Sequence, residues 1–562
     1  MVLPEINSIA EICAQHKIED VVLSPGSRCA PITIAFNRHP QFSPITLSDE
    51  RAAAFTALGM SLETDKPSVL VCTSGSAAYN YAPAVAEAFF AQVPLLVITA
   101  DRPPEWVDQM DGQTIRQSGI FGKHVKKSFD LPVDHQHPDA KWQFNRQVNE
   151  AILEANSFPK GPVHLNIPIR EPFYPEKGEA IKFDASCRVI KKRSVLNDFS
   201  PQVWEELKQE FSRYSKPLIV LGQQKLRADL IESLGQFSSK HQIPVIADGI
   251  SNFHDLEDVI SLPDNILIGK QDKKSLQPDL LITFGASVIS KPLKQFLRSY
   301  PPNAQWHLEE TGMTADTFQC LTEILPVSPA TFLQHMKEAS TSFSAPYFQL
   351  WQQEQKRQQE KLQAFVEVSP FTEIKIAHQI LNHLPQDSLL HLSNSMTVRN
   401  VNFVGVPVQK NIEIACNRGT SGIDGSNSTA IGAAMKTERL TTLITGDMAF
   451  FYDRNGLWNN YLPTNLRIIV INNHAGGIFG LIQGPREQEE LATYFETHQQ
   501  LKAKNTAEDF NLDYFSCSDF KALNTLLPDF FKASERPKLL EIFVDKEENK
   551  SSFDQFKAHL KG

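Results

Sequence analysis

Cysteine is scarce and unpatterned in this chain. Seven thiols, at Cys13, Cys29, Cys72, Cys187, Cys320, Cys416 and Cys517, are scattered over 562 residues with no CxxC pair. An odd, dispersed set excludes zinc-ribbon spacing and a disulfide framework, and it points to reduced thiols. Long apolar runs are also missing. The longest weakly charged stretch, 68–86, is interrupted by Thr, Ser, Asn, Tyr and Pro, far from the run of about 20 apolar residues that a membrane span needs. The first twenty residues carry early charges and lack the apolar core of a secretory signal. A cytoplasmic protein without a membrane span is therefore expected. An excess of basic residues is absent too: 55 Lys and Arg stand against 65 Asp and Glu, for a net charge of −10. That balance argues against nucleic acid or an anionic membrane as a general partner. It leaves room for a local basic pocket that takes an acidic metabolite.

The composition is that of an ordinary globular protein, 41% hydrophobic and 21% charged. At roughly 150 residues per domain, the length suggests three or four domains. Short apolar, β-branched runs alternate with helical stretches throughout, which predicts an α/β protein of doubly wound parallel sheets. In residues 1–180 the runs are Val21–Leu23, Ile45–Leu47, Val69–Cys72, Pro94–Thr99 and Val163–Pro168. Residues 171–200, with several prolines and the basic run Lys191-Lys192-Arg193, read as a linker with a solvated face. A second unit, 195–345, holds Pro217–Gly222, Ile243–Ala247 and Asp279–Phe284. No GxGxxG follows Gly222 or Gly285, so no dinucleotide site is assigned there. The polar stretch 346–365 predicts an interdomain helix. A third unit, 365–555, holds Leu389–Ser393 and Leu539–Val544, with a charged, Gln-rich and mobile segment expected at 484–512.

The chain is organised around residues 443–482. One apolar run ends in Gly446-Asp447, and a second, Leu466–Ile471, ends in Asn472-Asn473. The spacing between them accommodates a crossover helix, so Asp447 and Asn473 are expected at the carboxyl ends of two parallel strands, where α/β sheets bind ligands. A carboxylate and an amide oxygen are hard donors suited to Mg²⁺ completed by phosphate and water. Gly476-Gly477 then allows close backbone approach to a ligand. An ordinary pair of polar strand ends would share most of these features.

Other residues stand out beside strand ends. Glu50 opens an alanine-rich helix, where it serves either as a helix-terminal charge or as a buried acid–base group. Arg28, Arg399 and Arg418 each stand beside a polar loop, and arginine binds carboxylates bidentately. A surface salt bridge is the plainer role for any one of them.

Taken together, Ser24–Arg28, Asp49–Ala53, Thr73–Ala77, Asp101–Glu105, Gly112–Gln117, Asn417–Gly425 and the Gly446-Asp447 to Asn472-Asn473 pair resemble one family. It is the thiamine diphosphate-dependent 2-succinyl-5-enolpyruvyl-6-hydroxy-3-cyclohexene-1-carboxylate synthase family, and the resemblance runs from about residue 8 to 545 in the same order. It implies three thiamine diphosphate-binding-type α/β domains: an N-terminal domain for the pyrimidine, a central domain, and a C-terminal domain for diphosphate and metal. It implies decarboxylation of 2-oxoglutarate and 1,4-addition of the remaining unit to isochorismate, in menaquinone or phylloquinone biosynthesis.

By the same resemblance, Asp447, Asn473 and the Ala475 carbonyl would hold Mg²⁺ or Mn²⁺, with Ser395, Met448 and Ala449 beside the diphosphate. Glu50 would hydrogen-bond the aminopyrimidine and promote deprotonation of the thiazolium C2. Ile423 would wedge the cofactor into its bent shape, although its bland role is core packing. Ile478 and Phe479 would line the thiazolium and substrate side. Arg399 and Arg418 would bind substrate carboxylates, with Ser27 and Arg28 reaching them from the first domain. Gln113 would position or protonate the adduct, and Lys291 is a further substrate-binding candidate. A homodimer or a dimer of dimers follows from sites split over two domains.

The sequence departs from the family pattern in three places. Met448 stands where a third glycine is usual, Cys29 follows the SPGSR string where serine is common, and His474-Ala475 replaces a more usual pair. Two other readings stay open: an acetolactate-synthase-like carboligase that uses pyruvate, and a non-catalytic metabolite-binding relative.

Overall fold

A computed structural model describes residues 4–562 apart from 135, 172, 194, 196, 312 and 342; Pro172 of the expected linker thus lies outside the described residues. Three parallel sheets follow one another along the chain. The first comprises β1 (Val21–Leu23), β2 (Ile45–Thr46), β3 (Ser68–Cys72), β4 (Leu95–Asp101), β5 (Ser128–Asp130) and β6 (Pro162–Pro168), in the order β2-β1-β3-β4-β6-β5. The second comprises β7 (Pro217–Leu221), β8 (Val245–Ala247), β9 (Leu280–Phe284), β10 (Ala304–Leu308) and β11 (Glu323–Leu325), in the order β11-β10-β9-β7-β8. The third comprises β12 (Leu389–Leu392), β13 (Glu413–Cys416), β14 (Thr441–Gly446), β15 (Leu466–Asn472), β16 (Asp513–Cys517) and β17 (Lys538–Phe543), in the order β13-β12-β14-β15-β17-β16. Helices on both faces bury the central strands completely, which is why those strands read as unbroken apolar runs.

Five strands had no such signal. Four of them, β5, β11, β13 and β16, are sheet edges, where one side meets solvent and the apolar run breaks up. The fifth, β10, is interior but carries Gln305 and His307, buried and satisfied by Thr283 and Cys320.

The first and third sheets have one topology, the order of one becoming that of the other when eleven is added to each strand number. Their equivalent helices, Glu50–Thr64 after β2 and Ser426–Ala434 after β13, pack directly on each other. The contact is reciprocal. A Cβ on Gly59 would lie 2.0 Å from the Thr429 carbonyl oxygen, and one on Gly432 would lie 1.9 Å from that of Thr56. Thr56-Ala57-Leu58-Gly59 and Thr429-Ala430-Ile431-Gly432 are thus the two halves of a local pseudo-twofold joint.

The polar stretch 346–365 lies in the helix Ala345–Val368. Its first half seats Tyr347 and Trp351 in the core of the second sheet, and its second half seats Leu362, Phe365 and Val366 in that of the third. The expectation of an open segment at 484–512 is overturned. Glu496 is buried and paired with Lys546 at 2.6 Å, and its carbonyl accepts from the Gly476 N–H at 2.7 Å. The Gln499 N–H donates to the His474 carbonyl at 2.9 Å. The segment is polar because it covers a polar strand end. Among the described residues, no helix is long and apolar enough to cross a membrane.

Candidate active site

β14 and β15 run parallel, with Gly446 opposite Ile471, so Asp447 and Asn473 emerge together at the carboxyl end of the third sheet. Asp447 is 2% exposed, and burial pushes its carboxyl up to about 6. Gln499 Nε2 donates to Asp447 Oδ2 at 2.6 Å. The two asparagines divide their work. Asn472 turns inward, donating to Glu541 at 2.7 Å and accepting from the His474 N–H at 3.0 Å. Asn473 turns outward, with its Nδ2 donating to Glu373 Oε1 at 3.0 Å and its Oδ1 accepting from the Ala475 N–H at 3.1 Å. His474 adopts φ +58°, a left-handed turn that lets the chain double back, while Ala475 stays outside that region. The His474 ring is half-buried and stacks on Phe543 at 5.9 Å.

This donor set fits a hard divalent cation. A carboxylate at the end of β14, and an amide oxygen and a main-chain carbonyl just past the end of the adjacent β15, are all oxygen donors. Among the described residues no group of three or more His, Cys, Asp or Glu is placed to hold a metal, so diphosphate and water would complete the shell. Met448 and Ala449 continue into the short helix Asp447–Tyr452. Ile478 and Phe479 open the next one and are half-buried, with Phe479 5.8 Å from the ring of Phe495. Ile423 is 37% exposed, which sets it apart from a core isoleucine.

The cationic side of the site is built between the second and third sheets. Ser395, at φ +74°, caps the helix Met396–Val404, and Arg399 Nη1 folds back onto the Ser395 carbonyl. Arg418 Nη1 donates to Asn394 Oδ1 at 2.9 Å, and Asn394 in turn donates to the carbonyls of Asn417 and Gly422. Burial and the charge of Arg418 both lower the pKa of Arg399. Lys294 joins the pair: burial depresses it first, then the charge of Arg418. Lys291 is one turn earlier and exposed. Lys294, which sequence reading passed over, is therefore the lysine that the fold sets against the two arginines. Behind them lie the buried Asp248 and Asp264, raised to about 7 and about 6, chiefly by burial. A cavity of about 760 Å³ at the carboxyl ends of β7 and β9 is bordered by Lys294 and Arg418, while Asp447 and Asn473 lie outside its lining.

The first-domain residues form a third group. Asp49 caps the helix Glu50–Thr64 by accepting from the Ala52 N–H at 3.1 Å, and it also accepts from Asn455 Nδ2 at 2.8 Å. Glu50 is half-exposed, and Asn80 Nδ2 donates to it at 3.2 Å. Ser27 is exposed on a loop whose Gly26 presses against Thr73, leaving no room for a Cβ. Arg28 is buried. It donates to the Ile169 carbonyl at 2.8 Å and stacks over Phe173 at 4.4 Å, so it is held more firmly in its own domain than a free substrate arm would be. Gln113 is exposed at φ +55°. Its loop is tied by Arg102, which donates to the Gly112 carbonyl at 2.9 Å and pairs with Asp111 at 3.0 Å. Arg102 lies near enough to depress Arg28, and the sequence signal for it was its place in the Asp101–Glu105 string.

Two paired sheets of one topology, a glutamate at the head of a first-domain helix and an oxygen-donor pair at the end of the third sheet define a thiamine diphosphate-dependent enzyme. Residues 6–120 match the thiamine pyrophosphate enzyme N-terminal TPP-binding domain, and residues 196–392 match the middle domain of thiamine pyrophosphate enzymes. A 2-succinyl-5-enolpyruvyl-6-hydroxy-3-cyclohexene-1-carboxylate synthase of Cytophaga hutchinsonii is 47% identical over 99% of this chain and 98% of its own. Synthases of the same name from Christiangramia forsetii and Flavobacterium johnsoniae are 37% and 36% identical, over 97% and 100% of each chain. The chain belongs to the 2-succinyl-5-enolpyruvyl-6-hydroxy-3-cyclohexene-1-carboxylate synthase family.

Proposed function

We propose that this protein decarboxylates 2-oxoglutarate and adds the four-carbon succinyl semialdehyde unit to isochorismate by 1,4-addition, releasing CO₂, as a cytoplasmic transferase of menaquinone or phylloquinone biosynthesis. The observation that carries the substrate class is the convergence of Arg399, Arg418 and Lys294: the charge of Arg418 lowers the pKa of both of the others. Such a cluster is stable only if anions meet it, and both substrates are dianions. A pyruvate-specific carboligase has no second carboxylate to offer.

Bound thiamine diphosphate supplies the carbon nucleophile and the electron sink for loss of CO₂. Asp447, Asn473 and the Ala475 carbonyl would hold Mg²⁺ or Mn²⁺, with Ser395, Met448 and Ala449 at the diphosphate. Glu50 would hydrogen-bond the aminopyrimidine and favour its imino tautomer. Ile423 would pack against the bound cofactor, and Ile478 and Phe479 would help to keep water from the reacting side. Arg399, Arg418 and Lys294 or Lys291 bind carboxylates, while Ser27, Arg28, Arg102 and Gln113 close the site from a first domain.

The domain division follows the sheets: 1–180 for the pyrimidine, 195–345 between, and 365–555 for diphosphate and metal. We read the working unit as a homodimer or a dimer of dimers. In support, Glu50 and Asp447 sit on different domains, and among the described residues Asn80 is the side-chain partner found for Glu50. The test is CO₂ release by the purified protein with thiamine diphosphate and Mg²⁺, comparing 2-oxoglutarate with pyruvate, each with and without isochorismate. Turnover of 2-oxoglutarate that requires isochorismate supports the reading. Use of pyruvate with neglect of 2-oxoglutarate would sink it.

A further inference from the structure

Glu373 begins the helix Glu373–His383 and is 5% exposed. Its Oε1 accepts from Asn473 Nδ2 at 3.0 Å, and its Oε2 accepts from Asn400 Nδ2 at 2.8 Å. Its N–H donates to Asn549 Oδ1 at 3.0 Å, which anchors the helix start on the C-terminal helix Lys546–Lys561. Among the described residues no lysine, arginine or histidine pairs with this carboxylate. A buried acid without a counter-charge is costly, and packing alone gives no reason for it.

The reason lies in the amide it touches. A primary amide has a donor end and an acceptor end, and fixing one fixes the other. A carboxylate accepts only, so Asn473 must offer it Nδ2. Its Oδ1 then faces the turn Asn473–Ala475, where it accepts from the Ala475 N–H at 3.1 Å. The reverse orientation would set the amide oxygen against a carboxylate oxygen. A residue at 373 without an acceptor oxygen would leave both orientations open.

We propose that Glu373 is a positioning residue of the cation site: it orients the Asn473 amide so that Oδ1 is presented as a ligand. This rests on the reading of Asp447 and Asn473 as ligands. The test measures Mn²⁺ binding to the full-length protein with thiamine diphosphate present, by loss of the free-ion EPR signal. Glu373→Ala is expected to weaken Mn²⁺ binding by about 10–100-fold, the usual effect of removing an outer-shell partner. Glu373→Gln keeps an acceptor toward Asn473 and is expected to restore most of that affinity. Asn400→Ala removes the other hydrogen bond of the same carboxylate and is expected to leave Mn²⁺ binding near wild type. Should Glu373→Ala fail to fold, Glu373→Asp, too short to reach Asn473, is expected to show the same loss. The proposal is overturned by wild-type affinity in Glu373→Ala, by equal losses in Glu373→Ala and Glu373→Gln, or by an equal loss in Asn400→Ala. Asp447→Asn separates the two readings. If it alone loses Mn²⁺, the ligand assignment holds and the role of Glu373 fails. If it binds Mn²⁺ normally, the ligand assignment itself fails, and the proposal with it.

Discussion

Gly59 and Gly432 are pseudo-symmetry partners: each lies against the carbonyl of the threonine three residues before the other, at 2.0 and 1.9 Å from an added Cβ. The helices of the first and third sheets therefore touch backbone to backbone. Alanine at either position must push the helices apart, at a cost of roughly 1–3 kcal/mol for overpacking. On an open helix surface the same change would stabilise by roughly 0.5–1 kcal/mol. Thermal unfolding of Gly59→Ala and Gly432→Ala checks the sign: both variants are expected to melt lower.

Glu50→Gln is expected to lower CO₂ release from 2-oxoglutarate by about 10²–10⁴-fold, the usual span for a positioned acid–base group. Thiamine diphosphate binding, followed by calorimetry, is expected to persist, since the diphosphate anchor proposed above lies on the third sheet. A variant with wild-type turnover would remove Glu50 from the chemistry.

Arg399→Gln and Arg418→Gln each take away one charge-assisted contact worth about 1.5–3 kcal/mol, or roughly 10–150-fold in affinity. The expected signature is a raised KM for 2-oxoglutarate or isochorismate in steady-state kinetics. The double variant should lose less than the sum of the two, because the two arginines lie near enough for the charge of Arg418 to act on Arg399.

Chelation of divalent metal is expected to abolish turnover and to remove the thermal stabilisation given by thiamine diphosphate, and added Mg²⁺ or Mn²⁺ should restore both. A ligand at about 100 times its Kd stabilises by about 2.7 kcal/mol, which a melting curve resolves. Stabilisation by the cofactor that persists in chelator would count against the oxygen-donor site.

Asp453 is fully buried and accepts from the N–H and Oγ of Ser428, yet burial outweighs these bonds and raises its carboxyl to about 7. The folded protein thus holds a proton that the unfolded chain releases at the ordinary aspartate value of about 3.9. The resulting stability is present at low pH and is lost as pH rises through about 7. Asp453→Asn keeps the shape and removes the titration. Its stability relative to wild type is expected to be greater at about pH 8 than at about pH 5 by thermal melts. A pH-independent difference would show that Asp453 does not titrate in that window.

The sequence alone determined what local chemistry can carry. The buried central strands announced themselves as β-branched runs, because burial on both faces leaves no polar side. The place of Asp447 and Asn473 at two strand ends was legible because each apolar run stops just before them. Glu50, Arg399 and Arg418 were legible through the short strings around them. The edge strands were not, since half-exposure erases the apolar pattern. Lys294 took the place beside the arginines instead of Lys291 because helix phase, not adjacency to a strand, decides which lysine faces inward. The contacts of Arg28 with Ile169 and Phe173, more than 140 positions away, left no trace in the string around it. The folding of 484–512 over the Asn473 turn, the Thr56–Gly59 and Thr429–Gly432 joint, and the grip of Glu373 on Asn473 all depend on partners distant in the chain. Only the tertiary structure could decide these, because a contact between remote residues leaves no periodicity in the sequence of either.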